Sequence, residues 1–249
     1  MTRIAQTYPQ LAQQLSVEPW SSREFALARA AWELAAGLFA GAERGSGKAF
    51  VDHLIGTASA VSIGGGNADT VAAALVHAAY DQGDFGDGHR GASASHRRSV
   101  RAALGADVEE LVHGYDAVEW DERLVDPCRV LRDISPELLL VRVANELDDA
   151  LDGASILSAK VRSAQIYEAT IEVAERVASP ELVAMLRDAF LATHPPIAPE
   201  LVIGAVGSRG RMPASARLSL RARATPQMAR VTRSLRRRVG RETTYPREQ

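Results

Sequence analysis

The chain has 249 residues, 46% of them hydrophobic and 24% charged, with a formal net charge of −2. This length and composition favour one globular core with an appendage over two full domains. Cys128 is the only cysteine, which excludes an internal disulfide and a cysteine-based zinc site; a packed thiol in a reducing compartment is expected. The first 17 residues lack the apolar run of a signal peptide. Because no window reaches the roughly 18 apolar residues of a membrane span, we expect a cytoplasmic protein.

Apolar residues recur at helical spacing along most of the chain, and no alternating strand pattern stands out, so the predicted fold class is all-α. Ser21 and Glu24 predict a capping box before the first of these helices, and Pro136 suits the first turn of another. The Gly- and Asp-rich stretch 82–93 is expected to be an exposed loop. The predicted helices cover residues 22–40, 50–63, 71–81, 95–104, 106–120, 136–152, 161–177 and 180–191.

The composition changes near residue 200, which predicts a helical domain over residues 1–200 and a basic tail over residues 201–249. The tail has twelve arginines against Glu242 and Glu248, a balance of +10 that leaves −12 for the rest of the chain. Few large apolar residues occur there, which is typical of a weakly ordered, solubilising segment with one short helix near residues 228–239. The tail could also contact an anionic partner such as nucleic acid, a membrane surface or an acidic protein.

The segment 42–49 has some features of a nucleotide P-loop. A P-loop needs its first glycine for backbone contacts to phosphate, and a Ser or Thr after the lysine to hold magnesium. Ala42 and Ala49 occupy those two positions, and the segment follows a helix rather than a strand. The sequence therefore argues against a P-loop.

His53 and His77 lie on two otherwise apolar helices that a short turn at residues 64–66 would place side by side. Taken singly, each histidine is more often a residue that satisfies a local hydrogen bond. Together they belong to a longer pattern of four segments in a fixed order. These segments are GKAFVDH at 47–53, HAAYDQ at 77–82, LGADVEELVHG at 104–114 and RVAN at 142–145.

The four segments resemble the motifs G-x-P-Y-x-x-H, H-D-x-x-E-D, F-G-x-x-V-x-x-L-V-x-G and K-x-A-D of the HD-superfamily hydrolases. The resemblance covers roughly residues 40–152 and is strongest to the hydrolase domain of the RelA/SpoT-type guanosine tetraphosphate enzymes. It implies an HD-like helical bundle with a divalent metal between histidine and aspartate ligands. It also implies that Arg44 matches an arginine near the base pocket of that family.

The sequence departs from this family at its metal ligands, because Ala78 and Asn145 stand where two aspartates are expected. Asp81 and Gln82 replace the acidic pair. A bacterial branch of HD-derived domains, with a histidine-small-x-tyrosine motif and a later Ala-Asn, is more similar still. The resemblance then implies a weak site at His53 and His77 for manganese, iron or zinc, and an imidazole-preferring ion tolerates the loss of carboxylates best.

His77, Tyr80 and Asp81 are spaced so that one continuous helix would direct all three side chains to one cavity. In that arrangement Asp81 is the predicted general base and Tyr80 the predicted hydrogen-bond donor or acid. Arg44, Lys48 and Asn145 are the predicted ligand-binding residues. The alternative is a polar plug in which the histidines only satisfy buried groups. The acidic run at 148, 149 and 152 is expected to be a solvated surface.

Two functions remain open from the sequence. One is a hydrolase-type enzyme acting on a small phosphorylated or nucleotide-like substrate through the altered site. The other is a catalytically inactive pseudohydrolase that binds a small ligand or a protein partner. Either is compatible with a homo-oligomer.

Overall fold

The computed structural model describes residues 3–116, 118, 120, 126–152 and 164–192. Within these residues the chain is helical and has no strand, only an isolated bridge between Glu43 and Ala49, which confirms the all-α fold class. The helices are α1 (Tyr8–Leu15), α2 (Ser22–Leu38), α3 (Phe50–Ile63), α4 (Ala68–Val76), α5 (Ala79–Gln82), α6 (Ala94–Leu104), α7 (Ala106–Tyr115), α8 (Pro127–Asp133), α9 (Pro136–Leu151), α10 (Ala164–Val177) and α11 (Pro180–Leu191).

Most helix ends lie within two or three residues of their predicted positions. The predicted capping box at Ser21 and Glu24 is present, and the Pro136 helix begins at that residue, with Ser135 as its N-cap. Neither α1 nor α8 was predicted from the sequence. The helix predicted for 106–120 is shorter than expected, because α7 ends at Tyr115.

The helix predicted for residues 71–81 is broken in the structure between α4 and α5. The imidazole of His77 bonds the carbonyl oxygen of Ala74 at 2.8 Å, and this carbonyl would accept the amide of Ala78 in a continuous helix. Ala78 takes φ −93° and ψ 14°, outside the helical region. The break changes the directions in which the side chains after His77 leave the backbone.

The core lies around α3 and α4, whose small residues allow close packing on all sides. Every residue of α3 from His53 to Ser62 is buried, as is every residue of α4 except Asp69. α3 packs against α4 and α9, while α4 packs against α2 and α7. The turn between α3 and α4 uses Gly65 at φ +89°, a conformation that favours glycine. This packing brings the predicted histidine pair next to α9.

The predicted tail, its short helix and the domain boundary at residue 200 lie outside the described residues. Among the described helices, none is long and apolar enough to cross a membrane. The expectation of a packed thiol at Cys128 was wrong, since this residue is exposed on the short helix α8.

Candidate functional site

His53 projects from the first half of α3 into the interior and is fully buried. Its Nδ1 lies 2.8 Å from Oδ2 of Asp148 on α9. A carboxylate only accepts hydrogen bonds, so Nδ1 carries the proton and Nε2 keeps a lone pair. This Nε2 atom is buried and makes no hydrogen bond of normal geometry. The side chain of Asn145 lies close enough to His53 to raise its pKa, as the last of the effects that act on it. A buried nitrogen without a normal hydrogen bond calls for an explanation, and a bound ion is one of the usual ones.

His77 follows α4 directly and is 3% exposed. Because Nδ1 lies 2.8 Å from the carbonyl oxygen of Ala74, which only accepts, the proton is on Nδ1 and the lone pair on Nε2. The imidazole ring is 5.3 Å from that of His53, centroid to centroid, and 4.7 Å from the ring of Tyr115. The structure thus brings together the two histidines that the sequence paired, each with its Nδ1 engaged.

Both imidazoles are neutral at physiological pH. Burial, followed by the positive charge of Arg44, lowers the pKa of His53 to about 3. Burial, followed by the neighbouring His53, lowers the pKa of His77 to about 3. Neutral imidazole is the form that binds metals. Both histidines are therefore in the charge state that can bind a metal through nitrogen.

The face of α9 that is turned towards His53 carries Asn145, Asp148 and Asp149. Asn145 is 6% exposed, and its Nδ2 donates to Oδ2 of Asp149 at 3.4 Å. Asp148 is fully buried, so the expectation of a solvated acidic surface was wrong for this residue. The reason is that α9 packs directly against α3, which turns this face inward.

Two cations from the loop between α2 and α3 reach the same face. Nζ of Lys48 lies 2.8 and 2.7 Å from the two carboxylate oxygens of Asp148. Nη2 of Arg44 lies 2.6 Å from Oδ1 of Asp149 and forms an ion pair with it. The loop closes on itself through the amides of Arg44 and Gly47. Two of the three residues predicted to bind a ligand, Arg44 and Lys48, are therefore ion-paired to α9.

The sequence around the histidine pair matches a known protein family. A family model described as HD domain matches residues 31–127, which include both histidines. Residues 31–127 of the chain are an HD domain. This confirms the resemblance to the HD superfamily, while the resemblance to a bacterial branch with altered metal ligands stays a prediction.

The chain is also similar in structure to an individual protein. A solved structure, described as a metazoan ortholog of SpoT that hydrolyzes ppGpp and plays a role in starvation responses, matches with 17% sequence identity and a TM-score of 0.49. The match covers 70% of this chain and 97% of that chain. No curated protein matches the chain.

The HD domain does not bring Tyr80 and Asp81 to the histidine pair as predicted. The Tyr80 hydroxyl is buried and donates to Oε1 of Glu109 at 2.9 Å. Asp81 is exposed, accepts from the side chain of Gln82, and helps, after burial, to raise the pKa of Asp116 to about 6. The helix break at Ala78 is the physical reason. The catalytic roles predicted for these two residues, and for His77, stay predictions.

The residues of this HD domain fit a divalent cation that prefers nitrogen. His53 and His77 each offer a neutral Nε2, and the one on His53 is buried without a hydrogen bond of normal geometry. His53, Asp148 and Asp149 also present atoms within 4.8 Å of one another. Asp148 is the poorer direct ligand, because Lys48 already holds both of its oxygens. Hard cations that require several carboxylates, such as magnesium, fit less well than zinc or iron.

Asp148 and Asp149 are the residues that the sequence analysis missed as part of the site. Their positions three and four residues after Asn145 put all three on one face of a helix. The spacing was visible in the sequence, but an acidic run at a helix end is more often exposed. The signal that could have decided it is Lys48, one of only two lysines in the chain, in the loop before the His53 helix.

Proposed function

We propose that this hydrolase-type HD domain is an enzyme that acts on a small phosphorylated or nucleotide-like substrate, with His53 and His77 holding a divalent cation. The supporting observation is the buried Nε2 of His53, which makes no hydrogen bond of normal geometry and lies on a ring 5.3 Å from that of His77. Both rings are held with the proton on the other nitrogen. When bound, such a cation would supply Lewis acidity and lower the pKa of a coordinated water.

The chain's own residues would position the anionic part of the substrate. Arg44 is about one-fifth exposed and both it and Arg142 lie near enough to His77 to lower its pKa. Arg44 is a candidate to exchange its contact with Asp149 for a substrate phosphate, because guanidinium binds both groups in the same geometry. Oδ1 of Asp149, released from Arg44, would then be available 3.7 Å from Nδ1 of His53 for accepting a proton.

The experiment combines metal analysis of the purified full-length protein with phosphate release from a panel of phosphorylated nucleotides and sugars. We expect stoichiometric zinc, iron or manganese in the wild type, with metal and turnover both lost in His53→Ala and His77→Ala. His89→Ala is the matched control, since His89 is exposed in the loop after α5. Wild-type turnover that survives both pocket substitutions would rule out this function.

The second candidate is a pseudohydrolase that binds a small ligand or a protein. The observation that favours it is the pairing of Asp148 with Lys48 and Asp149 with Arg44, which leaves both carboxylates neutralised. It predicts no stoichiometric metal and no turnover, but an increase in Tm when a phosphorylated nucleotide is added. Stoichiometric metal together with turnover would eliminate it.

A further inference from the structure

Asp148 is a fully buried carboxylate that gathers donors from three separate parts of the chain. Lys48 contacts both oxygens at 2.8 and 2.7 Å from the loop before α3. His53 donates to Oδ2 at 2.8 Å from α3, and Gln6 donates to Oδ1 at 3.3 Å from the segment before α1. A buried carboxylate is costly unless its lone pairs are satisfied in this way.

The backbone of α3 is shaped to admit this carboxylate. A Cβ atom on Gly56 would lie 1.9 Å from Oδ1 of Asp148, so any other residue at that position would collide with it. His53 lies one turn earlier on the same helix, which places the glycine gap and the imidazole next to each other. The absence of a side chain at Gly56 thus leaves the space in which the Asp148 carboxylate lies beside His53.

From this geometry we propose that Asp148 is a positioning residue, which fixes His53 with its proton on Nδ1 so that Nε2 presents its lone pair to a bound ligand. Lys48 is the counter-ion that holds Asp148 in place. The assignment gives Lys48 a structural task in the site rather than direct contact with substrate. It rests on the proposed function only for the identity of the ligand, because the protonation of Nδ1 is a property of the chain alone.

The same logic operates in metal sites generally. A histidine ligand that donates its other N–H to a carboxylate is oriented and made more basic, and loss of that carboxylate lowers metal affinity by about 10–100-fold. In this chain His77 has only the carbonyl of Ala74 in the equivalent place. We therefore expect His53 to respond to changes at position 148 while His77 does not.

The first measurement is the ¹⁵N NMR spectrum of the histidine side chains in the metal-free wild-type protein. The chemical shifts of Nδ1 and Nε2 report which nitrogen carries the proton. We expect His53 with the proton on Nδ1. A wild-type spectrum with the proton on Nε2 of His53 would overturn the proposal, whatever the variants do.

The second measurement uses the double variant Lys48→Met/Asp148→Leu, which removes both charges at similar volume and so avoids leaving one buried ion unpaired. We expect His53 to lose the fixed Nδ1 proton, and zinc affinity to fall by about 10–100-fold. Asp188→Leu, at an exposed position of α11, is the control and should leave both readouts unchanged. A folded double variant with an unchanged His53 spectrum would also overturn the proposal.

The two proposals fail in different ways. If the wild type binds no zinc but His53 carries its proton on Nδ1 and responds to the double variant, the metal function is wrong and the positioning role stands. If zinc binds and neither the tautomer nor the affinity responds, the positioning role is wrong and the metal function stands.

Discussion

Gly56 is a position at which the site leaves no room for a side chain. Alanine normally stabilises a helix interior over glycine by up to about 1 kcal/mol. Here the added Cβ would lie 1.9 Å from Oδ1 of Asp148 and 3.1 Å from Nε2 of Gln6. We expect Gly56→Ala to lower the free energy of unfolding by about 1–3 kcal/mol, the usual effect of overpacking a core, as measured by urea denaturation.

Gly37 provides the matched control for this substitution. It lies inside α2, and a Cβ there would have nothing within 4 Å. Gly37→Ala should therefore raise the free energy of unfolding by up to about 1 kcal/mol. If both substitutions were stabilising, Asp148 would not occupy the gap at Gly56.

The sequence allowed the histidine pair to be predicted but not the residues that orient it. His53 and His77 stand in motifs whose spacing places them on adjacent helices. Asp148 acquires its role through contacts with His53, Lys48 and Gln6. These residues precede it in the chain by 95, 100 and 142 positions, respectively. Helical periodicity shows which residues share a face of α9, but it contains no information on what that face packs against.

The short helix α5 is held against α6 and α7 by one buried carboxylate, Glu109. Arg97 donates to it at 2.6 and 3.0 Å, Arg101 at 2.7 Å and the Tyr80 hydroxyl at 2.9 Å. The hydrogen bond from Arg97, aided by those from Arg101 and Tyr80, outweighs burial and lowers the pKa of Glu109 to about 2. These contacts link the helices α5, α6 and α7.

Glu109 should make the free energy of unfolding fall as the pH is lowered. Since its folded-state pKa of about 2 lies below the usual glutamate pKa of about 4.3, its contribution is present above that usual value and is lost as the pH falls towards about 2. We expect the wild type to lose on the order of 1–3 kcal/mol more than Glu109→Gln between about pH 5 and about pH 3 in urea denaturation. Glu110→Gln, at an exposed neighbouring position, should behave as the wild type does. Equal acid sensitivity in the wild type and Glu109→Gln would contradict this role.

The break between α4 and α5 explains why the predicted group of His77, Tyr80 and Asp81 did not form. Spacing of three and four residues brings side chains together only while the helix continues. The imidazole of His77 interrupts the helix by bonding the carbonyl of Ala74, and Tyr80 then reaches Glu109 instead. Periodicity in a sequence cannot show that a side chain will compete for a backbone carbonyl within its own helix.

For the whole molecule, the fold class followed from helical periodicity and capping signals that are local in sequence. The bounds of α3 and α11 match the predicted ranges because Ser179 with Pro180 and the Gly64–Gly66 turn mark them clearly. The packing of α3 against α9 depends on contacts between distant parts of the chain. No local pattern predicts it; the motif resemblance implied only that the His53 helix and the Asn145 helix contribute to one metal site.

The charge distribution along the chain gives a prediction that concerns the molecule as a whole. Residues 201–249, which lie outside the described residues, carry +10 while the rest carries −12. Arginine-rich segments bind polyanions by releasing counter-ions, which makes affinity depend steeply on salt. We expect the full chain to bind a random-sequence duplex DNA and a chain ending at residue 200 not to bind it, as measured by fluorescence anisotropy.

The salt dependence separates this charge effect from specific recognition. Affinity of the full chain should fall by roughly 10³-fold or more between about 50 and about 200 mM salt if six or more arginines contact phosphate. Changing Arg236, Arg237 and Arg238 to serine should reduce the salt slope by about 1 for each arginine that contacts phosphate. Equal binding by the chain that ends at residue 200 would refute the tail's role, because the remaining residues carry the opposite net charge and could bind DNA only through a specific surface.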